Sequence, residues 1–291
     1  MVNIFDGKKL AEEVKSDLRE RVKRLQTEYG RVPCLSVVLV GDDYGSRWYA
    51  SSIEKNAATT GLRCRVVRMD GECTEEAVLA QIRALNADKE VDGILIQLPM
   101  PKHISQERVL STLSSEKDVD GVTACNVARL WTEKRTDYSR FSVPCTARSA
   151  MRILEAASIE LAGKHAVIAG RSPIAGLPIA KLLMNANATV TIAHSHTRDL
   201  SSVLRGADII VSAIGQARFI TADMVSEGAV VVDVGINKVQ NQMCGDVDFE
   251  HVAPKCSLIT PVPGGVGPLT ICSLMENTTD CFLRRIAERQ E

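Results

Sequence analysis

The chain has 291 residues, more than one typical domain holds, so two domains around a cleft are the expectation. Its 35 basic and 36 acidic residues leave a net charge of -1 with no basic block or acidic tail, which argues against nucleic acid or a membrane surface as partner. Nine cysteines without a CxxC pair or nearby histidine spacing suit reduced thiols in a cytoplasmic protein better than a disulfide framework or a metal site. The start, MVNIFDGKKLAEEV, lacks a signal-peptide apolar run, and no stretch reaches membrane-spanning length.

From Lys8, the residues Leu10, Val14, Leu18, Val22 and Leu25 recur at helical spacing and stop near Gly30. Cys34–Val40 (CLSVVLV) reads as a buried strand, closed by Gly41-Asp42-Asp43. A helix through Tyr49 to Thr60, a strand at Arg63–Met69 and a helix at Thr74–Ala87 follow. Gly93–Gln97 is another short buried strand, ending at Leu98-Pro99. Thr132–Ser142 is polar and aperiodic, and a linker is expected near Pro144. Beyond it, His165–Ala169, Thr189–Ala193, Ile209–Ser212 and Val230–Val234 read as strands, with a helix at Leu177–Asn185 and a closing helix over Ile271–Arg289. Such alternation predicts an α/β fold with a mostly parallel sheet. The predicted domains are 1–144, joined by 271–291, and 145–270.

The turn Gly170-Arg171-Ser172-Pro173-Ile174-Ala175-Gly176 follows a strand and opens a helix, where backbone N–H groups and the helix dipole favour a phosphate. It is not GxGxxG, and a plain strand–turn–helix junction reads equally well. An NAD site normally carries an acid at the end of the next strand. Here that end is Ile192-Ala193-His194-Ser195-His196-Thr197, with no carboxylate. Hydroxyls and imidazoles there, with Arg171, suit the 2′-phosphate of NADP; two solvated loop histidines are the plainer alternative. Gly215 and Val234-Gly235-Ile236-Asn237 also lie at strand C-terminal ends, where open α/β sheets collect ligands.

Several segments, in order and at matching spacing, resemble one family. Asp92–His103 (DGILIQLPMPKH) is similar to DGILVQLPLPKH, Lys117–Gly121 to KDVDG, and Pro144-Cys145-Thr146 to PCTP with Ala147 at the proline. Gly170–Pro178 resembles GRSxxVGxP, while Val234–Asn237 with Gly245–Val247 resembles VGIN…GDV. Thr260–Thr270 (TPVPGGVGPLT) is close to TPVPGGVGPMT. The chain thus resembles the methylenetetrahydrofolate dehydrogenase/cyclohydrolase family.

That resemblance implies a folate domain and a Rossmann-like NADP domain flanking a cleft, and a homodimer acting on tetrahydrofolate one-carbon derivatives. It implies hydride transfer from 5,10-methylenetetrahydrofolate to NADP⁺, then hydrolysis to 10-formyltetrahydrofolate. By resemblance Asp120 grips the pteridine, Tyr49 stacks on the aminobenzoate ring and Gln97 orients the reacting centre. Leu98, Pro99, Pro263, Gly264 and Gly265 join them around the folate, the last within a wall running to Gly267. Gly170, Arg171, Ser172, Ile174, Ser195, Gly215 and Ile236 are the implied cofactor residues. Taken singly, Asp120 also reads as a turn acid before Gly121, Tyr49 as a half-buried aromatic and Gln97 as a strand-end cap.

The family's YxxxK motif aligns on Tyr49-Ala50-Ser51-Ser52-Ile53, so isoleucine stands where the family has lysine. Positions 49 and 53 share a helix face, whereas Lys55 lies about 200° round from Ile53. Hydride transfer moves no proton, but hydrolysis needs a proton relay, and a missing acid/base group costs roughly 10²–10⁴-fold. A working dehydrogenase with a crippled cyclohydrolase is therefore expected; full bifunctionality and a non-catalytic binder are the alternatives. Leu177 and His196 replace basic residues frequent in the family, which weakens phosphate binding.

Overall fold

A computed structural model describes residues 3–134, 137–240 and 242–287. The elements of the first part are β1 (Asn3–Ile4), α1 (Gly7–Tyr29), β2 (Cys34–Val40), α2 (Tyr44–Thr60), β3 (Arg63–Met69), α3 (Glu75–Ala87), β4 (Gly93–Ile96), α4 (Gln106–Thr112) and α5 (Ala124–Thr132). Then come α6 (Cys145–Ala156), β5 (His165–Ala169), α7 (Gly176–Asn185), β6 (Thr189–Ala193), α8 (Leu200–Arg205), β7 (Ile209–Ser212) and β8 (Val230–Asp233). The chain ends with β9 (Asn237–Val239), β10 (Gln242–Cys244), α9 (Phe249–Val252), β11 (Leu258–Ile259) and α10 (Val266–Ala287).

Two compact units result. One takes Glu13–Thr132, Asp137–Cys145 and the chain from Ile271, around a parallel sheet of order β3-β2-β4. Strands β2 and β4 are buried throughout, as a sheet covered on both faces requires. Helix α2 packs on this sheet through Ala50, Ile53 and Ala57, which join Leu35, Val37 and Val119 in one apolar core. Both its ends are fixed. Asp43 accepts from Ser46 N–H at the N-cap, and Gly61, at φ 85°, turns the chain in the left-handed region and bonds back to Ala57 and Ala58.

The other unit takes the chain up to Glu12, Glu133–Thr136 and Thr146–Thr270. Its sheet runs β1-β11-β8-β7-β5-β6, with every pair parallel. The chain leaves β5 for β6 on one side and returns to β7 on the other, a topological switch at β5 of the dinucleotide-binding kind.

Two expectations are corrected. Asn3 and Ile4 pair with Leu258 and Ile259 of β11, so the N-terminus joins the six-stranded sheet instead of the unit expected to begin at residue 1. A two-residue strand with exposed side chains carries no hydrophobic pattern to reveal this. The last helix begins at Val266 instead of Ile271, because Pro268 falls in its first turn, where no intrahelical N–H bond is lost. Its expected last residues, 288 and 289, and residues 135–136 of the expected linker stretch lie outside the described residues.

Candidate active site

In the six-stranded unit a cavity of ≈ 480 Å³ opens at the C-terminal ends of β5, β6 and β7. Gly170, Arg171 and Ser172 line it after β5, His194 and Ser195 after β6, and Ala213, Ile214, Gln216 and Phe219 after β7. The turn is drawn tight against its neighbours. Gly170 sits at φ 123°, and a side chain there would run into the Ala213 carbonyl oxygen, while one at Gly176 would meet Gly170 O. Helix α7 starts from Ala175 with no side-chain cap, so its positive end is left to an anion. The lining holds an arginine, a histidine and two serines but no carboxylate. Such a set fits a phosphorylated dinucleotide and offers no acid to a free ribose 2′-hydroxyl. Ile174, Gly215 and Ile236 are not part of this lining; Ile174 and Ile236 have exposed side chains.

In the three-stranded unit the segment Lys117–Gly121 divides its charges by role. The Lys117 ammonium donates to Leu85 O (2.8 Å) and Asp88 O (2.6 Å), and burial, with Arg285 nearby, pushes its pKa down to about 8. Asp118 is fully buried and accepts from Thr123 N–H (2.8 Å), Thr123 Oγ1 (2.8 Å) and Asn126 Nδ2 (2.9 Å). Asp118 also accepts Asp120 N–H at 3.2 Å. These two residues fold the loop. The Asp120 carboxylate is held by Cys145, whose N–H donates to it at 3.3 Å and whose thiol also bonds to it, and it keeps acceptor capacity for a ligand. Burial and the Asp118 charge raise its pKa to about 6.

The Tyr49 hydroxyl feels this carboxylate's charge: burial first, then Cys145 and Asp120, push its pKa far above the ordinary range. Tyr49 is half-buried against the same apolar core that holds Ile53. Ile53 itself is fully buried, while Lys55 is exposed, so no ammonium from this stretch of α2 joins Tyr49. Gln97 is half-buried at the end of β4; its N–H donates to Val38 O (2.9 Å) and its side-chain amide to Leu98 O (3.0 Å). Leu98–Pro99 and Val262–Pro263 are cis peptides, both within predicted folate residues. Pro263, Gly264 and Gly265 belong to the six-stranded unit; Val266 and Gly267, expected to extend their loop, instead open α10.

Two family models cover most of the chain. The catalytic domain of tetrahydrofolate dehydrogenase/cyclohydrolase matches residues 5–120, and its NAD(P)-binding domain matches residues 144–286. The chain belongs to the tetrahydrofolate dehydrogenase/cyclohydrolase family. The bifunctional protein FolD of Campylobacter hominis is 50% identical over 286 residues, 98% of this chain and 99% of that protein. A crystal structure of the FolD methylenetetrahydrofolate dehydrogenase/cyclohydrolase of Campylobacter jejuni superposes with TM-score 0.93 at 43% identity, covering 98% of this chain and 100% of that one. The Trypanosoma brucei enzyme, complexed with NADP cofactor and inhibitor, has TM-score 0.93 at 37% identity, with 98% of both chains covered.

Among the residues of this family member not expected from the sequence are Gln216, Phe219 and Asn277. Gln216 and Phe219 line the cavity from the loop after β7, which carries no motif. Asn277 of α10 donates to Val119 O (2.7 Å) and Val143 O (2.9 Å), tying together the backbone just ahead of Asp120 and just ahead of its donor Cys145. A lone asparagine inside a helical pattern gives no hint of partners so far away in sequence.

Proposed function

We propose that this family member oxidises 5,10-methylenetetrahydrofolate with NADP⁺ and is deficient in the second, hydrolytic step. NADP⁺, when bound, would supply the hydride acceptor. Arg171, Ser172, Ser195 and the uncapped start of α7 hold its phosphates, and the carboxylate-free strand end selects the phosphorylated form. Asp120 receives the pteridine N–H groups through its unused acceptor positions, Tyr49 lies beside the conjugated ring system, and Gln97 faces the reacting carbon. Hydride departure needs alignment and tolerance of a growing cation, and neither calls for a proton donor.

Hydrolysis is different: water must lose a proton and a ring nitrogen must gain one. The observation that carries the deficiency is Ile53, fully buried and apolar on the Tyr49 face of α2. A tyrosine hydroxyl whose pKa is pushed far above the ordinary range stays protonated and gives up its proton poorly, and Asp120 is committed to the substrate. The test follows NADPH formation from methylenetetrahydrofolate and, in the same cuvette, decay of the methenyl product. NADPH with methenyl-folate decaying at its uncatalysed rate is expected; fast enzymatic decay would restore full bifunctionality, and absence of NADPH would favour a binder. We further read the protein as a cytoplasmic homodimer. Nine free thiols support the compartment, and the exposed Val239 and Met243, on opposite faces of the β9–β10 hairpin, with Ile236 just before it, give this hairpin apolar surface for a second copy.

A further inference from the structure

The paired motifs Val234–Asn237 and Gly245–Val247 are explained neither by the phosphate turn nor by the folate residues. Their geometry centres on Asp246, which is fully buried. Its Oδ2 accepts from Ser212 Oγ (3.1 Å), Ile214 N–H (2.7 Å) and Gly215 N–H (3.1 Å). Its Oδ1 accepts from Gln216 N–H (3.0 Å) and Asn237 Nδ2 (2.9 Å). Successive backbone N–H groups converging on one anion form a nest, the device that elsewhere binds phosphate. Here the anion is the chain's own carboxylate.

Asp246 is itself held from below. Asp233 Oδ1 accepts Asp246 N–H (3.1 Å) and Gly235 N–H (2.9 Å), and Asp233 Oδ2 accepts Val247 N–H (2.9 Å). The motif glycines follow from this stacking. A side chain at Gly235 would overlap the Asp246 carboxylate, and one at Gly245 would overlap that of Asp233. Ile214 and Gln216, two of the residues whose amides Asp246 gathers, line the cofactor cavity, while Asp246 does not.

We propose that Asp246 is a positioning residue for NADP: it fixes the loop 214–216 as one wall of the cofactor cavity, so cofactor affinity depends on a carboxylate that never touches the cofactor. This rests on the NADP reading of that cavity. Replacing one acceptor oxygen by an amide turns a donor toward backbone donors and breaks the nest.

The test is Asp246→Asn, with NADP⁺ binding measured by titration and both Michaelis constants measured on the intact enzyme. The expected result is a Kd for NADP⁺ raised at least about tenfold, with the KM for methylenetetrahydrofolate within about twofold of the parent. Should Asp246→Asn fail to fold, Asn237→Ala removes one side-chain donor and leaves the backbone nest; it is expected to raise the same Kd about two- to fivefold with a nearly unchanged thermal midpoint. An unchanged Kd in folded Asp246→Asn, or in Asn237→Ala where the first does not fold, overturns the assignment. Equal rises in both Michaelis constants do the same, since they mark general loosening. A parent protein that binds no NADP⁺ overturns the cofactor reading as well, and so separates the two failures.

Discussion

In the six-stranded unit, two carboxylates are consumed by the fold: Asp246 takes five donors and Asp233 takes three, six of the eight being backbone N–H groups. In the three-stranded unit, Asp118 is saturated by four donors, but Asp120, two residues on, is held by Cys145, its N–H at a long 3.3 Å. The first unit shapes its site with backbone, through close approaches that admit only glycine, and sets Arg171, Ser172 and Ser195 on that frame; the second makes its site from side chains standing on a finished core. Backbone sites fail together when a motif residue changes. Side-chain sites can lose one chemical group while the fold stays intact, and Ile53 is such a loss: it fills its place in the core and supplies no proton.

The sharpest test of that contrast is Ile53→Lys. Hydrolysis of methenyl-folate is expected to rise about 10²–10⁴-fold, read as catalysed decay of its absorbance, while NADPH formation changes far less. Because the position is fully buried, the added ammonium also lowers the thermal midpoint. Ile53→Met, apolar and of similar volume, keeps the midpoint and gains no hydrolysis. A folded Ile53→Lys protein without added hydrolysis breaks the comparison at its centre. On the other unit, Arg171→Ala is expected to weaken NADP⁺ binding about 10- to 100-fold while leaving NAD⁺ binding nearly unchanged, measured by parallel titrations. Equal losses for both cofactors would move the 2′-phosphate away from Arg171.

How much of this was legible in the sequence follows from the same physics. Strands β2, β3, β6 and β7 begin and end where the apolar runs and turn residues placed them. Helix α4 and the hairpin β9–β10 went unread, being too short for a hydrophobic period to emerge, while α5 and α6 went unread although both are amphipathic. Arg171, Ser172 and Ser195 were legible because a turn after a strand fixes them locally, and the structure puts all three on one cavity. Gly7 shows the opposite case. A side chain there would collide with the carbonyls of Gly264 and Gly265, so it shapes the predicted folate loop from the far end of the chain. Nothing local marks it, because the constraint comes from a contact some 250 residues away, which only a β1–β11 pairing brings about.

The open carboxylate predicts a pH dependence confined to one substrate. With its pKa raised to about 6, Asp120 carries a proton below that pH and loses acceptor capacity. The KM for methylenetetrahydrofolate is therefore expected to climb as pH falls through about 6, approaching tenfold per unit, while the KM for NADP⁺ stays level. Asp120→Asn should start about tenfold high and show no such break. A break of equal size in the NADP⁺ constant would assign the titration to another group.

The smallest expected effect separates the floor of the side-chain site from its contents. Asn277→Ala takes the amide donor from Val143 O and leaves Val119 O with the weaker Cys145 thiol, a cost of about 1–3 kcal/mol in a buried region, and lowers the thermal midpoint by several degrees. The clamp lies next to Asp120 and Cys145 without entering the substrate's place, so the folate KM rises only about two- to fivefold and kcat holds. If kcat instead collapses while the fold persists, Asn277 acts on the reacting groups themselves. The three-stranded unit would then share the dependence on buried positioning that marks the nest around Asp246.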